Sequence, residues 1–232
     1  YYAPQKGFID IMLNNNGSAL TPKRSQQILD SGLTRIRFSF DAITQDTYSK
    51  VRVGSLPLDR VIRNVETFLE LKEKGNYKLP IVGVSFCKVK QNEHEVDNFT
   101  KFWQSKVDLI SIQKFMPPTT NKEKYKKYYA TDQYNEKPVT EFKCVQPFQR
   151  FVFRNEFMYP CCVSFNKALK LGSIKDTKIS KLNKSKILAI LNGIDKFEQT
   201  VQFRCLAVSD VSKRGVWSIP WESQEDARNG RR

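Results

Sequence analysis

The sequence predicts an α/β protein: a parallel sheet with helical crossovers over residues 1–116, then a small cysteine-bearing unit built from a β-hairpin and a helix. Three observations predict it. Strand-like apolar runs alternate with stretches of helical periodicity through the first half of the chain. The connections between them are short, which implies parallel strands joined by right-handed crossovers. After residue 117 this style stops, and four of the five cysteines, Cys144, Cys161, Cys162 and Cys205, follow.

The elements follow in order. Residues 8–13 (Phe-Ile-Asp-Ile-Met-Leu) form a short apolar strand, ended by the turn cluster Asn14-Asn15-Asn16-Gly17. Thr21 caps a helix with Pro22 at its first position, running through Ile28 and Leu29 to Gly32. Residues 35–40 alternate as a strand and stop at Asp41. Residues 57–74 carry Val61, Ile62, Val65, Phe68, Leu69 and Leu71 at helical spacing, with Gly75 as the stop. Residues 81–89 read as a buried strand that contains Cys87, an ordinary packing residue. Residues 93–105 form an amphipathic helix with Val96, Phe99, Phe102 and Trp103 inward, and residues 108–115 form one more strand. In such a sheet, chemistry gathers at the carboxyl ends of the strands.

Residues 117–141 read as a polar linker rich in Tyr and Lys, without periodicity. In the second unit, residues 142–207, the segments 150–153 and 157–159 flank Arg154-Asn155-Glu156 as a hairpin, and residues 179–191 read as a helix. Residues 208–232 follow no periodic pattern and read as a disordered or atypical tail.

Composition narrows the function. The chain has 232 residues, of which 40% are hydrophobic, enough for a real core. No apolar run approaches the ~20 residues of a membrane span, so no membrane partner is expected. The sequence shows no secretion-signal pattern, so a cytoplasmic setting is expected, in which clustered cysteines point to metal binding rather than disulfides. The net charge of +15 is spread along the chain, and no nucleic-acid-binding motif accompanies it, so a Lys-rich solvated surface is the favoured explanation. His94, the one histidine, sits beside Glu93 and Glu95. With no second histidine to complete a metal site, it reads as an exposed first-turn residue.

Several segments, taken in order, resemble the later part of a radical S-adenosylmethionine enzyme with a SPASM-type auxiliary domain. Leu13-Asn14-Asn15-Asn16-Gly17 is similar to the family's third-strand "TNG" turn. Ile36-Arg37-Phe38-Ser39-Phe40-Asp41 resembles its "iSlDg" strand, and Tyr48-Ser49-Lys50-Val51-Arg52 its "hd.iR" segment. Asn64 and the helix around it follow, and then Gln91-Asn92-Glu93-His94-Glu95 resembles the "N..E" start after the fifth strand. Beyond these, Cys144-Val145-Gln146-Pro147-Phe148, Tyr159-Pro160-Cys161-Cys162 and Leu171-Gly172-Ser173-Ile174-Lys175-Asp176 are similar to the "CxxPf…pCC…lGni.d" signature.

The resemblance implies a partial (β/α)6 TIM-like barrel, later strands only, followed by a SPASM/twitch hairpin-plus-helix domain. It implies an auxiliary 4Fe–4S cluster held by Cys144, Cys162 and Cys205, since thiolates are soft anionic ligands for iron. Neighbours on an extended segment point opposite ways, which makes Cys161 the weaker ligand of the adjacent pair. Asn16, Ser39, Asp41, Arg52 and Asn92 match strand-end positions that would contact S-adenosylmethionine, with Arg52 suited to its carboxylate. Four of them also have an ordinary role to weigh: Asn16 as a turn former, Ser39 and Asp41 as caps of the next helix, and Arg52 as a surface charge. The intact enzyme would receive electrons from a reductant such as flavodoxin or ferredoxin. It would generate a 5′-deoxyadenosyl radical and take a hydrogen from a small-molecule, sugar or peptide substrate.

The sequence departs from the pattern in two places. Val208 stands where the family's closing CxxC would place its last sulfur. No CxxxCxxC occurs anywhere, so the second 4Fe–4S cluster has no loop here, and the chain reads as an N-terminally truncated piece that is inactive alone. The alternative is a zinc-stapled basic module that binds nucleic acid or an anionic glycan, because the same thiols hold zinc as well as iron. A blander third reading is an α/β domain with merely buried cysteines.

Overall fold

A computed structural model describes residues 2–116, 122–134, 152–159 and 170–175. Cys144, Cys161, Cys162 and Cys205, the expected helix at 179–191 and the tail from 208 lie outside these residues. The described chain falls into two compact units. One holds residues 2–115 and 127–134; the other holds 116, 122–126, 152–159 and 170–175.

The first unit opens with a short helix, α1 (Tyr2–Gln5), followed by strand β1 (Met12–Asn15). Helix α2 (Pro22–Leu29) starts where expected: Thr21 is its N-cap, and its side chain accepts from the Arg24 N–H. Strand β2 (Arg35–Ser39) leads to α3 (Gln45–Val51) and the long α4 (Leu58–Lys74). Strand β3 (Ile81–Lys88) is followed by a 3-10 turn (Glu93–Glu95), α5 (Val96–Trp103) and strand β4 (Leu109–Lys114). The four strands form one parallel sheet in sequential order, β1-β2-β3-β4.

The core lies on one face of that sheet. Ile36, Phe38, Val82, Val84 and Phe86 are fully buried there, against Val61, Val65 and Phe68 of α4 and Phe99 and Trp103 of α5. Phe38 meets Phe68 edge-on at 5.6 Å between ring centroids, and Phe86 meets Phe99 at 5.0 Å. Rings in tilted and T-shaped pairs add to the burial of their apolar area. The helical spacing read from the sequence is therefore the spacing of the buried stripe.

Three expectations change. The first strand is Met12–Asn15, not residues 8–13; Phe8 and Ile9 are 63% and 68% exposed. Pairing decides this, since Met12 stands beside Arg35 and Asn15 beside Phe38, while Asp10 and Ile11 anchor to Thr34 and Arg35 just before the ladder. Helix α3 was not anticipated; its cap is Thr44, whose hydroxyl accepts from the Thr47 N–H, so neither Ser39 nor Asp41 caps it. The stretch read as a structureless linker contains α6 (Lys122–Tyr125), a 3-10 turn (Lys126–Tyr128) and α7 (Thr131–Tyr134).

In the second unit, β5 (Val152–Arg154) and β6 (Phe157–Tyr159) pair antiparallel across Asn155-Glu156. This is the expected hairpin, and Asn155 takes the positive φ of 56° that such a tight turn requires. A third strand, β7 (Gly172–Ser173), pairs with β6 and was not anticipated; it is too short to carry a periodic signal.

Among the described residues, no helix is long and apolar enough to cross a membrane. The protein is thus a mixed α/β structure with a four-stranded parallel sheet and a small antiparallel sheet.

Candidate functional site

The carboxyl ends of β2 and β3 are tied together by one residue, Asp41. It follows the end of β2 with φ 63°, a left-handed conformation that Asp tolerates better than most side chains. Its Oδ1 accepts from the Cys87 N–H at 2.7 Å. Its Oδ2 accepts from Arg52 Nε at 2.9 Å, with Arg52 Nη2 at 2.7 Å. Its main-chain carbonyl accepts from Asn92 Nδ2 at 2.8 Å.

Asn92 completes the cluster. It is fully buried, donates also to the Cys87 carbonyl at 3.0 Å, and accepts from the Val89 N–H through Oδ1 at 2.7 Å. One side chain thereby satisfies backbone groups of the loop after β2 and of the loop after β3. A buried amide so occupied holds the two loops in place. Arg52 is the C-cap of α3, about three-quarters buried as a side chain and paired with Asp41, so it is not a loose surface charge.

The other two candidates stand apart from this cluster. Asn16 is exposed, and its Oδ1 accepts from the N–H and the hydroxyl of Ser18. The turn is stapled to α4 next door: Gly17 has φ 72°, its carbonyl accepts from Asn64 Nδ2, and a Cβ there would stand 3.0 Å from Val61 Cγ1. Glycine is the residue that both the dihedral and the close approach require. Ser39 lies on the sheet face opposite the core, with its Oγ 3.2 Å from Ser85 Oγ. The structure thus brings Asp41, Arg52 and Asn92 together, and places Ser39 on the sheet face and Asn16 in its own turn.

That second face is the feature that sequence reading missed. Because strand residues alternate, the register puts Asn14, Arg37, Gly83 and Leu109 in one row, and Ser39, Ser85 and Ser111 in the next. Cys87 and Gln113 form the row after that. Arg37 Nε donates to Asn14 Oδ1 at 2.9 Å, and Arg35, on the same face, pairs with Asp10. Burial holds the Arg37 guanidinium below its usual range, and the Arg35 charge adds in the same direction. The signal was available: Arg35-Ile36-Arg37-Phe38-Ser39 alternates polar and apolar, whereas a strand covered on both faces reads as continuously apolar.

Two acids beside the loop after β3 have fixed structural roles. Glu95 is buried; its carboxylate accepts from the Ile43 and Thr44 N–H groups and from the Thr44 hydroxyl, holding the start of α3. Burial pushes its pKa up, but those hydrogen bonds outweigh it and leave the carboxyl below its ordinary value. Glu93 holds the segment before α7: it accepts from the Thr131 N–H at 2.6 Å and hydroxyl at 2.7 Å, and pairs with Lys90 at 2.9 Å. The Thr131 N–H first, then Lys90 and the Thr131 hydroxyl, lower the Glu93 carboxyl to about 2. Lys88 pairs with Asp132, and Gln133 Nε2 donates to the Phe115 carbonyl at 2.7 Å. This part of the segment read as a linker is therefore fastened to the carboxyl ends of β3 and β4. An open depression of about 470 Å³ lies here, lined by Lys88, Glu93, Val96, Asp97, Thr131 and Asp132. His94 is exposed, as expected.

Cys87 follows Phe86 at the end of β3, and its N–H donates to Asp41. Burial first, then the Asp41 charge, push its thiol up to about 11, so it stays protonated at neutral pH. Among the described residues no group of three His, Cys, Asp or Glu is placed to hold a metal; the four other cysteines lie outside them.

No protein-family model matches the sequence, and no curated protein matches it.

Proposed function

We propose that this chain carries the later strands of a radical S-adenosylmethionine barrel and a SPASM-type iron–sulfur unit. In this reading the intact protein removes a hydrogen atom from a small-molecule, sugar or peptide substrate. The observation that carries the reading is the sheet itself. A doubly wound sheet reverses its strand order and places helices on both faces. Here the order is sequential, and the helices α2, α4 and α5 put their apolar residues into one core on one face. Right-handed crossovers in constant sequence place every helix on the same side, which is how a (β/α) barrel is wound. The opposite face, bearing Arg37, Ser39, Ser85, Ser111 and Gln113, suits the polar interior of such a barrel. Its mouth would be the carboxyl ends, where Asp41 joins the loops after β2 and β3.

The donor set fits a cofactor with amino, carboxylate and ribose groups. Ser39 offers a hydroxyl on the inner face, and Asn16 an amide nitrogen at the strand ends. Arg52 keeps Nη1 without a hydrogen-bond partner among the described residues, while Asp41 fixes the rest of its guanidinium. Asn92 acts on the cofactor only through the loops that it holds. When bound, the cofactor and its cluster supply the one-electron chemistry that removes a substrate hydrogen; the protein's part is orientation and exclusion of water. In this reading Cys144, Cys162 and Cys205 hold the auxiliary cluster, with Cys161 packing beside them, and the radical-generating cluster belongs to residues other than these 232.

Anaerobic reconstitution with iron and sulfide tests the reading. A brown, sulfide-containing cluster that is lost on Cys162→Ala is the expected result. Zinc in its place, or no metal at all, overturns it.

A further inference from the structure

Residues 128–133 lie across the carboxyl ends of β3 and β4 and have two unlike sides. Thr131 and Asp132 are exposed and carry the fastenings. The Thr131 N–H donates to Glu93 at 2.6 Å, Lys90 Nζ donates to the Thr131 hydroxyl at 2.6 Å, and Lys88 pairs with Asp132. The Lys90 N–H adds a bond to the Tyr128 carbonyl at 3.1 Å. Charged contacts at a surface are weak, and salt screens them.

The other side is uncharged. Ala130 is fully buried and Gln133 is 8% exposed. Two polar atoms there are shut off from solvent with no hydrogen-bond partner among the described residues, the Tyr129 hydroxyl and Gln133 Oε1. Both belong to side chains set around one residue, Phe115, just past the end of β4. The Tyr129 ring meets the Phe115 ring edge-on at 5.8 Å, and Gln133 Nε2 is taken up by the Phe115 carbonyl at 2.7 Å. Polar groups that lose water on burial nearly always regain a partner. Two without one, in a single short segment over the strand ends, point to a partner on which the segment closes.

The chemistry of the two atoms selects that partner. Gln133 Oε1 can only accept, so the partner must donate, which a carboxylate cannot do. Burial raises the Tyr129 pKa, so its hydroxyl keeps its proton and can give or take a hydrogen bond. An ion of either sign would be desolvated beside Tyr129, Ala130 and Gln133, none of them charged. A hydroxyl gives and takes at one oxygen, whereas an amide does so at atoms that point opposite ways, so two groups gathered at one residue suit a hydroxyl. Ser111 and Gln113, on the polar face of the same strand, add further uncharged donors and acceptors.

We propose that residues 128–133 form a lid on the carboxyl ends of β3 and β4, which opens to admit a neutral polyhydroxylated ligand of the monosaccharide class and closes on it through the Tyr129 hydroxyl and Gln133 Oε1. The binding rests on this segment alone; that the ligand is the substrate rests on the reading of the strand ends as the mouth of a radical-enzyme barrel.

The test titrates the full, metal-free chain, ¹⁵N-labelled and with ¹³C-labelled tyrosine, with glucose, galactose and ribose. The readouts are the Gln133 side-chain amide, the Tyr129 ring and hydrogen exchange of the Gln133 N–H, which donates to the Ala130 carbonyl. A saturable shift with at least one sugar is expected, together with slower exchange of the Gln133 N–H. Tyr129→Phe should weaken binding about ten-fold, as loss of one hydrogen bond predicts. It should leave the urea midpoint unchanged or raised, because the hydroxyl it removes has no described partner. A water trapped between the two groups predicts the opposite, a lowered midpoint and no sugar-dependent shift, and that result overturns the proposal. Gln133→Met should weaken binding to a similar degree; if it loses the dispersed amides of the folded chain, Tyr129→Phe carries the comparison. Asp132→Asn should speed exchange of the Gln133 N–H in the sugar-free chain, and unchanged exchange overturns the lid. No saturable shift with any of the three sugars, shifts that survive Tyr129→Phe, or shifts given by N-acetylglycinamide in their place overturn the ligand class. If S-adenosylmethionine displaces the sugar, the hydroxyls belong to the cofactor and the substrate assignment falls. Failure of the radical reading is distinguishable: it shows in iron and sulfide content and leaves sugar binding by the metal-free chain intact.

Discussion

On β2, Ile36 and Phe38 are fully buried against the helices, while Arg35, Arg37 and Ser39 stand on the other face, one residue out of step. The same contrast runs across β3, where Val82, Val84 and Phe86 face the core and Ser85 and Cys87 do not. One sheet thus has an apolar face packed on helices and a polar face that is not. Hydrophobic burial is non-directional and scales with area, whereas the polar face holds directional donors whose value depends on a partner. Burial and polar chemistry are therefore separated by parity along a strand.

The separation is open to test, and the largest effect belongs to the apolar face. Phe38→Ala removes a fully buried ring that packs on Phe68 and should cost about 3–5 kcal/mol of unfolding free energy in urea titrations. A cost as small as that of a polar-face serine would break the contrast. Asn92→Ala should come next, at about 2–3 kcal/mol, because it leaves the Val89 N–H and the carbonyls of Asp41 and Cys87 without their buried partner. Since Asn92 serves loops and not a face, its loss should also shift the Arg52 side-chain resonances.

A smaller effect is tied to pH. Glu93 has its carboxyl lowered from 4.5 to about 2 by Thr131 and Lys90. A lowered carboxyl stabilises the fold fully above its ordinary value, and that contribution fades as pH falls from about 4.5 towards 2. The Thr131 amide shift should follow this window, and Glu93→Gln should abolish the dependence; the carboxylate is accessible enough that salt should screen part of it. Smallest is Ser111→Ala, expected within about 0.5 kcal/mol of the parent, because that hydroxyl has no described partner to lose. A large loss there would show that the polar face is structural after all.

Much of the first unit was legible because its signals are local. Thr21-Pro22 announced α2, and Val61, Val65 and Phe68 announced α4 by their spacing alone. Asn155 marked the hairpin turn because few other residues accept its backbone angles. What escaped depends on pairing. The β1 register is chosen by Thr34 and Arg35, more than twenty residues away, so the apolar Phe8 and Ile9 misled. Helix α3 is capped by its own Thr44 but held by Glu95, fifty residues on, and offers little apolar periodicity of its own. Short α7 is likewise fastened through Glu93, Lys88 and Phe115 rather than by its own propensity.

The site candidates divide in the same way. The sequence by itself determined that Ser39, Asp41, Arg52 and Asn92 sit at or beyond strand ends, since the alternation of elements requires it, and that alternate residues of β2 are polar. Only the tertiary structure decided that Asp41, Arg52 and Asn92 hold one another, and that Ser39 joins Ser85 and Ser111 in a row with Arg37 one step below. Periodicity along a chain fixes which residues share a face of their own element. Which elements lie side by side, and in what register, is fixed by hydrogen bonds and packing between residues far apart in sequence.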